Sequence, residues 1–418
     1  MQWRESIQKV KDPLLISARN TDADMRIQGD YHIISGRIND IAWDGDSQRI
    51  IAVGDGRERF GHCITADSGN SVGEISGHSS IINSVSIRQQ RPLRAATGAD
   101  DSSVVFLHGA PFKFATKLGG LHKGYVYGVG FSPDGNHLVS VGADRRIQLY
   151  DGKTGNPTVQ IGEGEHKGSI FGVSWGKDSK RFVTASADQT VKVWDVEAGK
   201  AVQTWRFGGE GNVSILDHQV GVVWPAGRSD GMVISLNLAG DLNYLVEGSQ
   251  TPTKVVQGHN KSITALGSSH DGKGQTFWTG SFDGRVCSWD VASGIGSAIE
   301  GQSHTNQVTA FQTTSNRAYS VGWDDTLRVA DGAGKTFLGE TSKLTAQPKG
   351  LASAEGRVFA ATASGIDIFS KDALVGTVPT KDFTPTAIAA SRSLVAGTLC
   401  TSLSSCSCNP KGIFLDFE

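Results

Sequence analysis

Three residue types able to do acid–base or metal chemistry recur in this chain at fixed separations, with a tryptophan as a fourth member of the set. A histidine is followed by a hydroxyl residue, an aspartate stands four residues after the hydroxyl, and a tryptophan six after the aspartate. His166, Thr184, Asp188 and Trp194 form one such set, and His259, Thr279, Asp283 and Trp289 another. Imidazole, hydroxyl and carboxylate are also the groups of proton relays and metal sites, but the indole N–H points elsewhere. Each of the four groups is costly to bury alone, and linked in series each satisfies the next. The sets therefore read as buried structural tetrads that clamp the turn holding the aspartate, without a catalytic or metal role.

The elements that must position them follow from the period. His78, His122 and His166 are each 44 residues apart, His259 and His304 are 45 apart, and the 93 residues between His166 and His259 leave room for one degenerate copy. A repeat of about 40–45 residues that opens on Gly-His and closes on Trp-Asp is that of a four-stranded WD-repeat propeller blade. The stretch HKGSIFGVSWGKDSKRFVTASADQTVKVWDVEAG alternates apolar and polar residues between turn-forming ones, as half-buried strands do. Other copies keep part of the set: His122, Ser140 and Asp144 with Tyr150 in the tryptophan place; His304, Ser320 and Asp324 ending in Ala330; and His78, Thr97 and Asp101 with Leu107. Weaker units lie near residues 37–56, 219–245, 350–370 and 386–398, about nine in all.

The expected fold is all-β: one nearly complete propeller over residues 30–290 with six recognisable units, part of a second over 291–399, and non-repeat segments at 1–29 and 400–418. Composition agrees, with 53 glycines against 11 prolines and 38% hydrophobic residues, which suits many short strands and tight turns. The 40 basic and 42 acidic side chains leave a formal charge of −2, so no footprint for nucleic acid is visible and a protein partner is the default. No apolar run approaches a membrane span, and the start MQWRESIQKVKD is too charged for a secretory signal. The chain is expected to be cytoplasmic, without membrane insertion. Its five cysteines, Cys63, Cys287, Cys400, Cys406 and Cys408, are an odd number with no disulfide framework or zinc spacing, so reduced thiols and no metal are expected.

Other motifs carry no chemistry. DGAGKTF at 331–337 lacks the first glycine of a phosphate loop, since Val329 stands there, and reads as a turn. No serine elbow, metalloprotease pair or cysteine–histidine constellation is present, so neither an enzyme nor a cofactor is expected. The residues just before the key aspartates, Asp100, Ala143, Ala187, Phe282 and Trp323, fall in turns on the face where propellers commonly bind ligands. A large aromatic has little core reason to be there, and Phe282 and Trp323 read as contact residues. In APFKFATK, Phe112 and Phe114 flank Lys113, and strand alternation would point both rings to one side.

Several stretches outside the repeat pattern carry a resemblance: GDGRERFG, SVGEI, RPLRAATG and PFKF, with GRINDIAWDGDSQRI, the GHNKSI repeat, SHTNQV with WDDTLR, and QPKG. Over residues 29–399 the chain resembles the actin-interacting protein 1 family, also called WD repeat protein 1, in a fungal version. The resemblance implies two joined seven-bladed propellers, binding of actin filaments together with cofilin, filament disassembly and barbed-end capping, and no covalent reaction. It implies an actin/cofilin-binding surface at Glu58 in GRERFG, Asp100 in TGADD, Phe114 in PFKF and Tyr125 in HKGYV. It also implies about fourteen blade units, so that the first two and roughly the last three have no counterpart here. The runner-up reading is a general WD-repeat adaptor in a ubiquitin-ligase or signalling complex.

Overall fold

The computed structural model describes residues 4–7, 15–19, 27–57, 59–209, 214–228, 230–270, 275–314, 316–331, 336–339, 341–380, 384–391, 394–398 and 413–416. Glu58, Cys400, Cys406, Cys408 and residues 332–335 of the DGAGKTF turn lie outside the described residues. The fold is that of WD-repeat β-propeller blades. Among the described residues, eight four-stranded sheets form, each an antiparallel meander of strands consecutive in sequence. In chain order these blades cover residues 37–74, 82–118, 126–161, 170–206, 219–256, 263–298, 308–343 and 348–379. Three-stranded sheets are made by strands within 4–32 and 387–416.

The fourth blade shows how the residues dictate the element. Its strands are Ile170–Trp175, Arg181–Ser186, Thr190–Asp195 and Lys200–Arg206. The two middle strands are rich in β-branched and aromatic residues that suit a pleated surface covered on both faces, and Phe182, Val183, Ala185, Val191, Val193 and Trp194 are fully buried. The core lies between neighbouring blades rather than inside any one sheet. Val139, Val141, Ile147, Leu149 and Ile161 of the third blade pack with Ile170, Trp175, Phe182 and Trp194 of the fourth, each such side chain stabilising by about 1.5–3 kcal/mol when fully buried.

Two local features repeat from blade to blade. The first strand of every one of the eight carries a bulge at its start, just after Ile38, Ile82, Val126, Ile170, Gln219, Ile263, Val308 and Pro348. An extra residue bends and twists the inner strand there. The second feature is a left-handed residue directly after the key aspartate: Ser102 (φ 59°), Arg145 (68°), Gln189 (65°), Gly284 (88°) and Asp325 (54°). Such a backbone is disfavoured for non-glycine residues, so the tight turn must be held by other bonds.

By contacts the described chain divides into two compact units. One runs to Leu238 and takes in Leu242–Val255, and the other contains Ala239–Asp241 with the described residues from Val256 on. The sequence grouping had placed the blade at 263–298 with the first set, whereas it falls here in the second unit, its first strand packed on that of the blade at 308–343.

Candidate functional site

The tetrads account for the strained turns. In the fourth blade Trp194 Nε1–H donates to Thr184 Oγ1 at 2.8 Å, Thr184 lies 2.8 Å from His166 Nε2, and His166 Nδ1 lies 2.8 Å from Asp188 Oδ2. Because the indole can only donate, the chain runs one way: Thr184 gives its proton to His166 Nε2, and the imidazole donates its Nδ1–H to Asp188. Asp188 also accepts from the Lys167 amide at 2.9 Å, the Thr190 amide at 3.1 Å and Thr190 Oγ1 at 2.5 Å. Burial alone would raise the Asp188 carboxyl, but His166, Thr190 and the Lys167 amide hold it well below the usual carboxylate range.

The partial copies close in related ways. In the third blade Tyr150 replaces tryptophan, its hydroxyl 2.9 Å from Ser140, while His122 reaches Ser140 at 2.7 Å and Asp144 at 3.1 Å. In the seventh, His304 meets Ser320 and Asp324, both at 2.9 Å. In the second, His78 meets Thr97 at 2.9 Å and Asp101 at 3.0 Å, and Lys117 adds an ion pair to Asp101 at 2.8 Å.

The set at His259 departs from expectation. Thr279 bridges Trp289 Nε1 at 2.7 Å and His259 Nε2 at 2.8 Å, yet the buried His259 Nδ1 has no partner among the described residues. Asp283 is turned toward its own loop, where it accepts from the Ser281 hydroxyl and, at 3.4 Å, from the Arg285 amide. Three of the four members are joined, and Asp283 is not part of the chain. Burial, with Arg285 nearby, pushes the His259 imidazole below its ordinary value.

Of the four surface residues named from sequence, Asp100 and Tyr125 come together. Asp100 occupies the turn between the strands Arg94–Ala99 and Val104–His108 of the second blade. Tyr125, 50% exposed, immediately precedes the first strand of the third, Val126–Phe131. Asn83 Nδ2 links the two blades there, donating to Asp100 Oδ1 at 2.7 Å and to the carbonyl of Val126, the residue after Tyr125, at 3.1 Å. Phe114 stands apart on the outermost strand, Lys113–Leu118, opposite Leu107, about 10 Å along the sheet from the turn by strand rise. It is 47% exposed.

The alternation argument fails for Phe112 and Phe114. Phe112 precedes the strand in a left-handed turn (φ 61°) whose amide donates to Gly109 at 2.7 Å, and its ring is fully buried. Phe282 and Trp323 are exposed in the second unit, each in the residue before the aspartate. The hydroxyls two residues after it, Ser103, Thr190 and Thr326, bond Asp101, Asp188 and Asp324 at 2.5–2.7 Å. The sequence reading passed over them, although a Ser or Thr at that spacing in three repeats was a usable signal. Among the described residues no three His, Cys, Asp or Glu side chains stand together as a metal site, and no helix is long and apolar enough to cross a membrane.

Four-stranded blades of this geometry, several of them closed by whole or partial tetrads, define a WD-repeat protein, and the model of the WD domain, G-beta repeat, matches residues 117–151, 159–195 and 250–290. Relatives narrow the class. The chain is 46% identical over 85% of its length to an uncharacterised WD repeat-containing protein of Schizosaccharomyces pombe, covering 58% of that protein. It is 39% identical over 88% of its length to WD repeat-containing protein 1 of Xenopus tropicalis, covering 60% of it. It is also 39% identical over 78% of its length to actin-interacting protein 1 of Drosophila melanogaster, covering 52%. The chain is thus a homologue of the proteins named WD repeat-containing protein 1 and actin-interacting protein 1, and it spans between half and three fifths of the length of these relatives.

Proposed function

We propose that this chain binds actin filaments together with cofilin and promotes filament disassembly and barbed-end capping, acting by non-covalent binding in the cytoplasm at the actin cytoskeleton. The observation that carries the reading is the half-buried Asp100 and the exposed Tyr125 on two neighbouring blades that Asn83 links, in a chain homologous to proteins named for interacting with actin. A partly exposed carboxylate near an exposed aromatic ring is the composition of a protein contact, in which a few aromatic and charged residues carry most of the energy. Asp100, Tyr125 and Glu58 are the proposed contact residues, with Phe114 a separate one at the outer strand.

Co-sedimentation tests the reading. The folded chain should pellet with cofilin-decorated filaments, and more than with bare ones. A soluble, folded sample that stays in the supernatant in both cases refutes it, and capture of ligase subunits without actin would point to the adaptor reading instead.

A further inference from the structure

Asn83 makes two bonds of different kinds. Its donation to Val126 belongs to the fold, because Asn39 Nδ2 reaches the Ile82 carbonyl at 3.0 Å and Thr264 Oγ1 reaches the Val308 carbonyl at 2.6 Å from the matching place in other blades. Its donation to Asp100 is an addition in this blade. Since both acceptors require N–H, the orientation of the Asn83 amide is determined, and its carbonyl oxygen is left over. That oxygen accepts no hydrogen bond among the described residues, and neither does the second carboxylate oxygen of Asp100.

Aromatic rings stand on either side of Val126, whose carbonyl Asn83 holds. Tyr125 lies edge-on to Tyr127 with centroids 6.2 Å apart, and Tyr127 lies 5.3 Å from Phe171 of the fourth blade. Burial raises the Tyr127 phenol, and the Asp100 carboxylate raises it further, so Tyr127 stays a neutral hydroxyl close to that charge. Asp100 forms no ion pair among the described residues.

We propose that Asn83, Asp100, Tyr125 and Tyr127 form a receptor for one cationic side chain, an arginine or lysine, of the protein partner. Asp100 supplies the charge, the Asn83 carbonyl a second acceptor, and the tyrosines an electron-rich wall. A guanidinium has planar donors enough for both acceptors and a face that stacks on an aromatic ring. Asn83 is the positioning residue, since one amide hydrogen fixes the Asp100 carboxylate while the other anchors the amide to the next blade. The proposal deepens the reading of this surface as a partner contact, and its first test does not depend on actin.

In the first test, L-arginine methyl ester is titrated into the full chain while the Asn83 side-chain amide is followed by 1H–15N NMR. A saturable shift is expected that norleucine methyl ester does not cause and that Asp100→Asn abolishes. No shift, or one that survives Asp100→Asn, overturns the receptor. The second test uses Asn83→Thr, which keeps the bond between blades as Thr264 does and loses the contact with Asp100. Its melting temperature should match the parent's, while affinity for cofilin-decorated filaments falls about tenfold or more, the scale of one hydrogen bond to a charged group, with no further loss in an Asp100→Ala background. Parent-like affinity, or a full additive loss in that background, overturns the role of Asn83. A parent chain that leaves filaments bare while arginine ester still shifts Asn83 removes actin as partner and supports the receptor.

Discussion

His166 Nδ1 and Asp188 Oδ2 stand 2.8 Å apart, with both side chains almost wholly removed from solvent. Within the described residues His259 has no such partner, although Asp283 occupies the equivalent place in its repeat. The two aspartates therefore differ in what their loss would expose. Asp188→Ala leaves a buried imidazole N–H and the Lys167 and Thr190 amides without their acceptor, at a cost of about 1–3 kcal/mol. Asp283→Ala removes bonds confined to one turn and should cost about 0.5–1 kcal/mol. Urea unfolding of the two variants checks this, and equal costs would show that His259 and Asp283 pair in solution.

Acid should destabilise the protein in two steps. The folded His78 imidazole lies below its ordinary value of 6.5, chiefly through burial and against the pull of Asp101. Its contribution is fully present above pH 6.5 and is lost as pH falls from there toward the folded value. Asp101, Asp188 and Asp324 are held below 3.8, burial being outweighed by their bonds. Their contributions are present above pH 3.8 and are lost as pH falls further, through the depressed folded values. Asp40 works the other way, because burial raises its carboxyl. Melting temperature should decline from pH 7.5 to 5.5 and more steeply below about pH 4, and His78→Gln should reduce the slope of the first limb.

The described cysteines should be inert in the native state. Burial pushes the Cys63 thiol up to about 12 and the Cys287 thiol up to about 11, and the thiolate is the reactive form. At pH 8 iodoacetamide should leave both unmodified in the native chain and alkylate both in urea, as read by peptide mass spectrometry. Native labelling of either at the unfolded rate would mean that its blade opens readily.

How much of this was legible depends on whether backbone period or side-chain rotation decides the outcome. The placing of Thr184, Asp188 and Trp194 follows from strand alternation and a two-strand turn, so spacing alone identified them. Tyr150 could be read as a substitute because a phenol, like an indole, can donate to Ser140. Asp283 could not be read, since its spacing matches Asp188 and only the rotation of its carboxylate toward Ser281 removes it from the chain. Phe112 was misread because a left-handed residue ahead of the strand breaks the alternation. The surface pair was legible only in part. Asp100 and Tyr125 could be named, but the bridge at Asn83 joins residues whose proximity depends on how one blade packs on the next.

The same bridge bears on the final prediction, which separates binding from folding. Asp100→Ala combined with Tyr125→Ala should weaken association with cofilin-decorated filaments while leaving the melting temperature close to the parent's. Asp100 lies outside the tetrad, and its loss frees one amide hydrogen of Asn83, whose other bond to Val126 persists. Tyr125 is half exposed, so its ring fills no core space, and substitutions at such places usually shift stability by no more than about 0.5 kcal/mol. If Asp100 meets a basic group on the partner, affinity should fall by about 1 kcal/mol or more, and the binding that remains should lose part of its salt sensitivity. Adding Glu58→Ala should deepen the loss if that carboxylate belongs to the same contact. Filament binding by the double variant that equals the parent's at both low and physiological salt would remove Asp100 and Tyr125 from the contact while leaving the blade architecture untouched.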